Sequence, residues 1–114
     1  MKKTSISEPS ALTISYNRLR QRIVTIAYDI EKTEEGFAYM ELQLRPGTAD
    51  YPGIVSQIIT QKYPSDQMQA IVNNYLADPS DADIAKEFQD MQAWRTMAKR
   101  VAKEILADPR LAVL

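Results

Sequence analysis

Arg95, Lys99, Arg100 and Lys103 stand around Trp94 in a stretch that reads as one helix. Cations mixed with an aromatic ring are what a single-stranded nucleic acid needs, charge for its phosphates and a flat surface for its bases. The same residues equally suit a helix C-terminus, where Lys and Arg complement the dipole and keep the outer face wet. Arg18, Arg20 and Arg22 alternate with Asn17, Leu19 and Gln21. On a strand, that spacing puts three guanidinium groups on one face, able to follow a phosphate backbone or an acidic partner, or to guard an exposed edge against aggregation. The carboxylates of Asp78, Asp81, Asp83, Glu87 and Asp90 are a third cluster. They lack the alternating ligands, central glycine and terminal glutamate of a calcium loop, and suit the solvated start of a helix.

The chain has no cysteine and no histidine. Disulfides, iron-sulfur clusters, thiolate zinc sites and thiol nucleophiles are therefore excluded, and the commonest general base near neutral pH is missing. Glycine occurs only at 36, 47 and 53, which cannot build a phosphate-cradling loop. No serine has a base partner. These residues predict no catalytic site, no cofactor and no metal, and so no enzyme.

The elements that would position these groups follow from hydrophobic periodicity. Leu12, Ile14 and Tyr16 alternate with polar residues, as do Val24, Ile26, Tyr28 and Ile30, and then Ala38, Met40, Leu42 and Leu44. This predicts a two- or three-stranded antiparallel sheet built on a hairpin of 22–30 and 37–45, with Glu31 to Gly36 as a longer connector. Helical spacing then takes over, with helices at about 52–62, 65–77 and 81–107. Ser65 is the expected cap of the second, whose apolar positions Met68, Ile71, Val72, Tyr75 and Leu76 complete a helical register. Ser80 and Asp83 form a capping-box-like pair before the third. Its stripe is Ile84, Phe88, Met91, Trp94, Ala98, Val101 and Ile105, helped by Met97 and Ala102, and Leu111 to Leu114 follow as an apolar tail. At about 26 residues, or roughly 39 Å, that helix exceeds the expected width of a domain of this size. Part of its apolar face is therefore expected against another chain.

With 114 residues, 45% hydrophobic and 25% charged, the composition is that of one globular domain with one core. Residues 1 to 10 lack periodicity and read as a flexible tail, leaving 11–114 as a single α+β domain. A net charge of −1 gives no global attraction to nucleic acid or membrane. No apolar run approaches a membrane span and no secretory signal is evident, so a cytoplasmic location is expected.

The run YPSDQMQAIVNNYLADPSD, followed by EFQDMQAWRTMAKRVAKEIL, resembles small proteins of Bacteroidota encoded in prophage or other mobile-element regions, over residues 63–106. The resemblance implies an accessory or structural protein of a phage-like system and carries over no site residues. From the residues themselves, the leading expectation is a non-enzymatic assembly module, a homo-oligomer with a dimer favoured. Its anchors would be Phe88, Met91, Trp94 and Met97, with Arg95 and Lys99 at the rim. The long helix is acidic at its start and basic at its end, which favours antiparallel pairing. The alternative is a nucleic-acid-binding accessory protein using Arg18, Arg20, Arg22 and the cluster from Arg95 to Lys103.

Overall fold

Between Leu12 and Gln43 side chains alternate, and a computed structural model, which describes residues 2–112, turns that pattern into antiparallel strands. Strand β1 spans Lys3–Ser5, β2 Leu12–Tyr16, β3 Arg22–Thr33 and β4 Gly36–Gln43, in the sheet order β1-β4-β3-β2. Directly opposed residues of an antiparallel pair point to the same side of the sheet. Leu12 faces Ile26, Ile14 faces Val24, Leu42 faces Ile26 and Met40 faces Tyr28, so this register collects the apolar set on one face. Helices follow, the third of them long, and the architecture is α+β.

Two details of the sheet depart from the expected pattern. The hairpin is tighter, because β3 continues to Thr33 and only Glu34 and Glu35 separate it from β4. A bulge between Tyr28 and Glu31, with Asp29 in the left-handed region at φ 52°, ends the core-facing alternation at Tyr28. Ile30 is consequently only half-buried.

Residues 1 to 10 read as a tail, yet Lys3–Ser5 adds a strand to the free edge of β4. Edge pairing uses backbone groups and asks for no apolar alternation, so periodicity gives no sign of it. Lys3 adds an ion pair to Glu41 at 2.9 Å, and Lys2 one to Glu31 at 3.2 Å. Gly36 permits the approach, since a Cβ there would collide with the Ser5 carbonyl oxygen.

Helix α1 (Tyr51–Lys62) starts at Asp50, whose carboxylate accepts the Gly53 N–H at 2.8 Å, and Pro52 fits its first turn. Helix α2 (Ser65–Ala77) starts after Pro64 without a side-chain cap, so Ser65 is its first residue and not the cap expected. Helix α3 (Ala82–Leu106) is capped by Asp81, which accepts the N–H groups of Asp83 and Ile84 at 3.0 and 3.1 Å. The expected pairing of Ser80 with Asp83 gives way to a Ser80 hydroxyl that donates to Asp78 at 2.9 Å. A final turn, α4 (Pro109–Ala112), buries Leu111 and returns Arg110 to the Leu12 carbonyl at 3.3 Å. Val113 and Leu114, the end of the expected apolar tail, lie outside the described residues.

The core joins the apolar sheet face to α1 and α3, through Val24, Ile26, Tyr28, Ile54, Ile58, Met91, Ala98 and Val101 among others. Two glutamines fasten the layers. Gln57, buried in α1, accepts the Arg45 N–H at 2.9 Å and donates to Thr48 Oγ1 at 2.8 Å and to the Gly53 carbonyl at 2.9 Å. Gln61 donates to the Glu41 carbonyl at 2.7 Å and accepts the Tyr28 hydroxyl.

The 25 residues of α3 span about 38 Å. The protein measures 51 × 36 × 24 Å, and its radius of gyration of 16.4 Å exceeds the ~13 Å of a near-spherical domain of this length. Along α3 the apolar stripe is half-buried at Ile84 and Phe88 and buried at Met91, Trp94, Ala98, Val101 and Ile105, so this chain itself covers most of the face expected against another.

Candidate functional site

The expected interface on α3 is divided by the structure. Met91 is fully buried, and Trp94 retains 9% exposure. The Trp94 indole N–H donates to the Ile58 carbonyl at 3.0 Å, its ring meets Tyr28 edge-on at 6.0 Å, and Lys62 lies over it at 4.5 Å. Both residues belong to the chain's own core, because the sheet and α1 supply the surface that α3 needs. Phe88 and Met97 pack against that core from its margin, Phe88 with its ring 4.2 Å from Tyr75. Arg95 is half-buried and Lys99 exposed.

The arginines of the N-terminal half do not share a strand face. Arg18 and Arg20 lie in the turn between β2 and β3, and Arg22 opens β3. Asn17 holds that turn: its side-chain oxygen accepts the N–H groups of Leu19 and Gln21 at 2.9 and 3.0 Å, and Arg20 takes φ 59°. Closing a hairpin there removes the alternation that a continuous strand would give. On α3, Arg100 lies 3.9 Å from Glu104, whereas Arg95, Lys99 and Lys103 form an i, i+4, i+8 ridge. No described carboxylate pairs with any of these three. Among the acids, Asp81 caps α3 and Asp90 pairs with Lys86 at 2.8 Å. Among the described residues no group of three or more His, Cys, Asp or Glu side chains gathers where it could hold a metal.

One concavity is not singled out by the sequence. Helices α1 and α2 both pack on α3 but barely approach each other. The groove between them has a volume of about 660 Å³ and is lined by Val55 and Ile59 from α1, Met68 and Val72 from α2, and Tyr51 and Pro52 at the start of α1. Exposed Ser56, Thr60, Gln69 and Asn73 border it, and Arg95 enters from α3 as the one charged lining residue. Of the five apolar positions that complete the register of α2, only Ile71 is buried; Met68, Val72 and Tyr75 are half-covered and Leu76 is 73% exposed. The clue in the sequence is an amphipathic helix with a full apolar stripe, but the stripe does not reveal that its covering layer is incomplete.

A second cleft of about 500 Å³ lies between the end of α3 and the strands β2 and β3. Four of its five charged side chains pair with one another: Arg100 lies 3.9 Å from Glu104, and Arg110 holds Asp108 at 2.8 Å by a hydrogen bond that keeps the Asp108 carboxyl below the usual range. Tyr28 and Asp29 line the same cleft, and burial and then the Asp29 charge push the Tyr28 hydroxyl well above the ordinary tyrosine range. Burial, followed by Asp90 and Glu87, raises Tyr63. Neither phenol faces the groove, so its chemistry is apolar contact plus one guanidinium.

No helix among the described residues is long and apolar enough to cross a membrane. Comparison with protein-family models, with curated proteins and with solved structures finds no match.

Proposed function

We propose that this protein is a non-enzymatic interaction module that assembles with another polypeptide through the groove between α1 and α2. The observation that carries this reading is the surplus of α2. A helix with five apolar positions in register buries one of them, and two of its half-covered residues, Met68 and Val72, share a groove with Val55 and Ile59. Apolar surface left in one continuous concavity marks a contact site more often than scattered exposed residues do. This moves the expected docking surface from the buried stripe of α3 to its neighbours, with Arg95 common to both. An assembly role also agrees with the resemblance of residues 63–106 to prophage-encoded proteins, which would place the partner in a phage-like system.

The test is site-specific photocrosslinking in the cell that makes the protein, with the photoreactive residue at Gln69 or Asn73 and a control at Glu34 on the hairpin turn. Discrete protein adducts from the groove positions alone support the reading. Adducts absent from both groove positions, or identical at Glu34, overturn it.

A second reading rests on the turn between β2 and β3, where Tyr16 and Leu19, 67% and 78% exposed, flank Arg18 near Arg20. An aromatic ring among guanidinium groups suits single-stranded nucleic acid. Binding of a labelled single-stranded oligonucleotide that weakens steeply with salt and with Tyr16→Ala supports it, and binding that is absent or unchanged by either removes it.

A further inference from the structure

We infer that the occupant of the groove is a second copy of this chain, each copy setting the Leu76 end of its α2 into the groove of the other about a two-fold axis. This rests on the docking reading above and names the partner. A two-fold interface is self-complementary, so the projecting part and the recess must belong to one patch. Helix α2 supplies both. Met68 and Val72 line the recess, and Leu76 continues the same i, i+4, i+8 ridge outward, where it is 73% exposed.

Charge selects the same occupant. Arg95 lines the groove, and Lys99 and Lys103 extend its ridge along α3 without a described carboxylate partner. Residues 65–85 contain Asp66, Asp78, Asp81 and Asp83 and no lysine or arginine. The segment that carries Leu76 therefore brings only negative charge, with Asp78 two residues beyond the leucine. The uncharged border of Ser56, Thr60, Gln69 and Asn73 can meet its own copy without repulsion. Two helices of 12 and 13 residues offer a patch about 20 Å long, at the low end of areas that hold specific complexes, so dissociation in the micromolar range is expected.

Sedimentation equilibrium of the full chain over a wide micromolar range tests this. The expected mass rises with concentration from 13.0 kDa to twice that value. Leu76→Glu should weaken association at least ~30-fold, with an unchanged thermal melt at a concentration where the wild type is monomeric, since the side chain is exposed in the monomer and its loss removes no core contact. Arg95→Asp and Asp78→Arg should each weaken it, and together in one chain restore most of it, because the two-fold axis pairs each altered residue with its altered complement. A chain that stays at 13.0 kDa throughout, a dimer indifferent to Leu76→Glu, or a charge exchange without rescue overturns the inference. A monomer whose groove still crosslinks to a different protein in the cell overturns self-pairing alone. Absent groove adducts overturn the docking reading itself.

Discussion

Trp94→Ala separates a core tryptophan from an interface tryptophan by magnitude. The indole is 9% exposed, packs edge-on against Tyr28, lies under Lys62 and donates to the Ile58 carbonyl. Truncating a buried aromatic of this kind costs about 3–5 kcal/mol, the spread reflecting how far the surroundings collapse into the cavity. With an unfolding entropy of about 2.1 cal/mol/K per residue, 114 residues give roughly 0.24 kcal/mol/K, so a loss near 4 kcal/mol lowers the melting temperature by ~17 °C. That is a large part of the ~5–15 kcal/mol that holds such a domain together. Trp94→Phe keeps most of the ring and gives up the N–H, and a loss of about 1–2 kcal/mol is expected. Thermal and urea unfolding followed by circular dichroism, at a concentration where the wild type is monomeric, reads both values. A Trp94→Ala monomer within ~1 kcal/mol of wild type would refute the placement of the indole in the core and return it to a surface role.

Three further outcomes follow from particular contacts. Gln57→Ala removes the side chain that ties Arg45, Thr48 and Gly53, leaving a part-buried N–H without its acceptor, and should lower stability by about 2–3 kcal/mol in urea titrations, with early loss of exchange protection at the Arg45 amide. Gly36→Ala sets a Cβ against the Ser5 carbonyl at a φ of 150° that side chains rarely adopt, so β1 should detach, with amide protection lost at residues 3–5 and stability down by about 1–3 kcal/mol. Tyr28 has a raised folded pKa, so its contribution is whole below the unfolded value near 10 and is lost as pH rises beyond it, where the unfolded phenol ionises first. Wild-type stability should therefore fall more steeply above pH 10 than that of Tyr28→Phe, and parallel slopes would contradict the burial of that hydroxyl.

Periodicity carried most of the fold. The stripe from Met91 to Ile105 on α3 is buried where its spacing puts it, and β3 and β4 pair as the alternation of Val24, Ile26, Tyr28, Met40 and Leu42 requires. Capping was less legible, because Asp81 and Ser80 compete for one helix end and single-residue shifts leave the pattern unchanged. The edge strand Lys3–Ser5 and the buried Gln57 escaped it altogether, since both act through hydrogen bonds to distant backbone, which leave no periodic trace.

By itself, the sequence determined the α+β class, the order of the elements from β2 to α3 and which side of each seeks apolar company, since these depend on residue types a few positions apart. Tertiary structure alone decided which apolar faces meet inside the chain. It took Trp94 and Met91 into the core and left Val55, Ile59, Met68 and Val72 lining an open groove, with Leu76 exposed beyond it. A helical stripe records the wish for a neighbour but not the neighbour's position. Only the placement of α1 and α2 on α3, set apart from one another, shows which stripe remains unmatched.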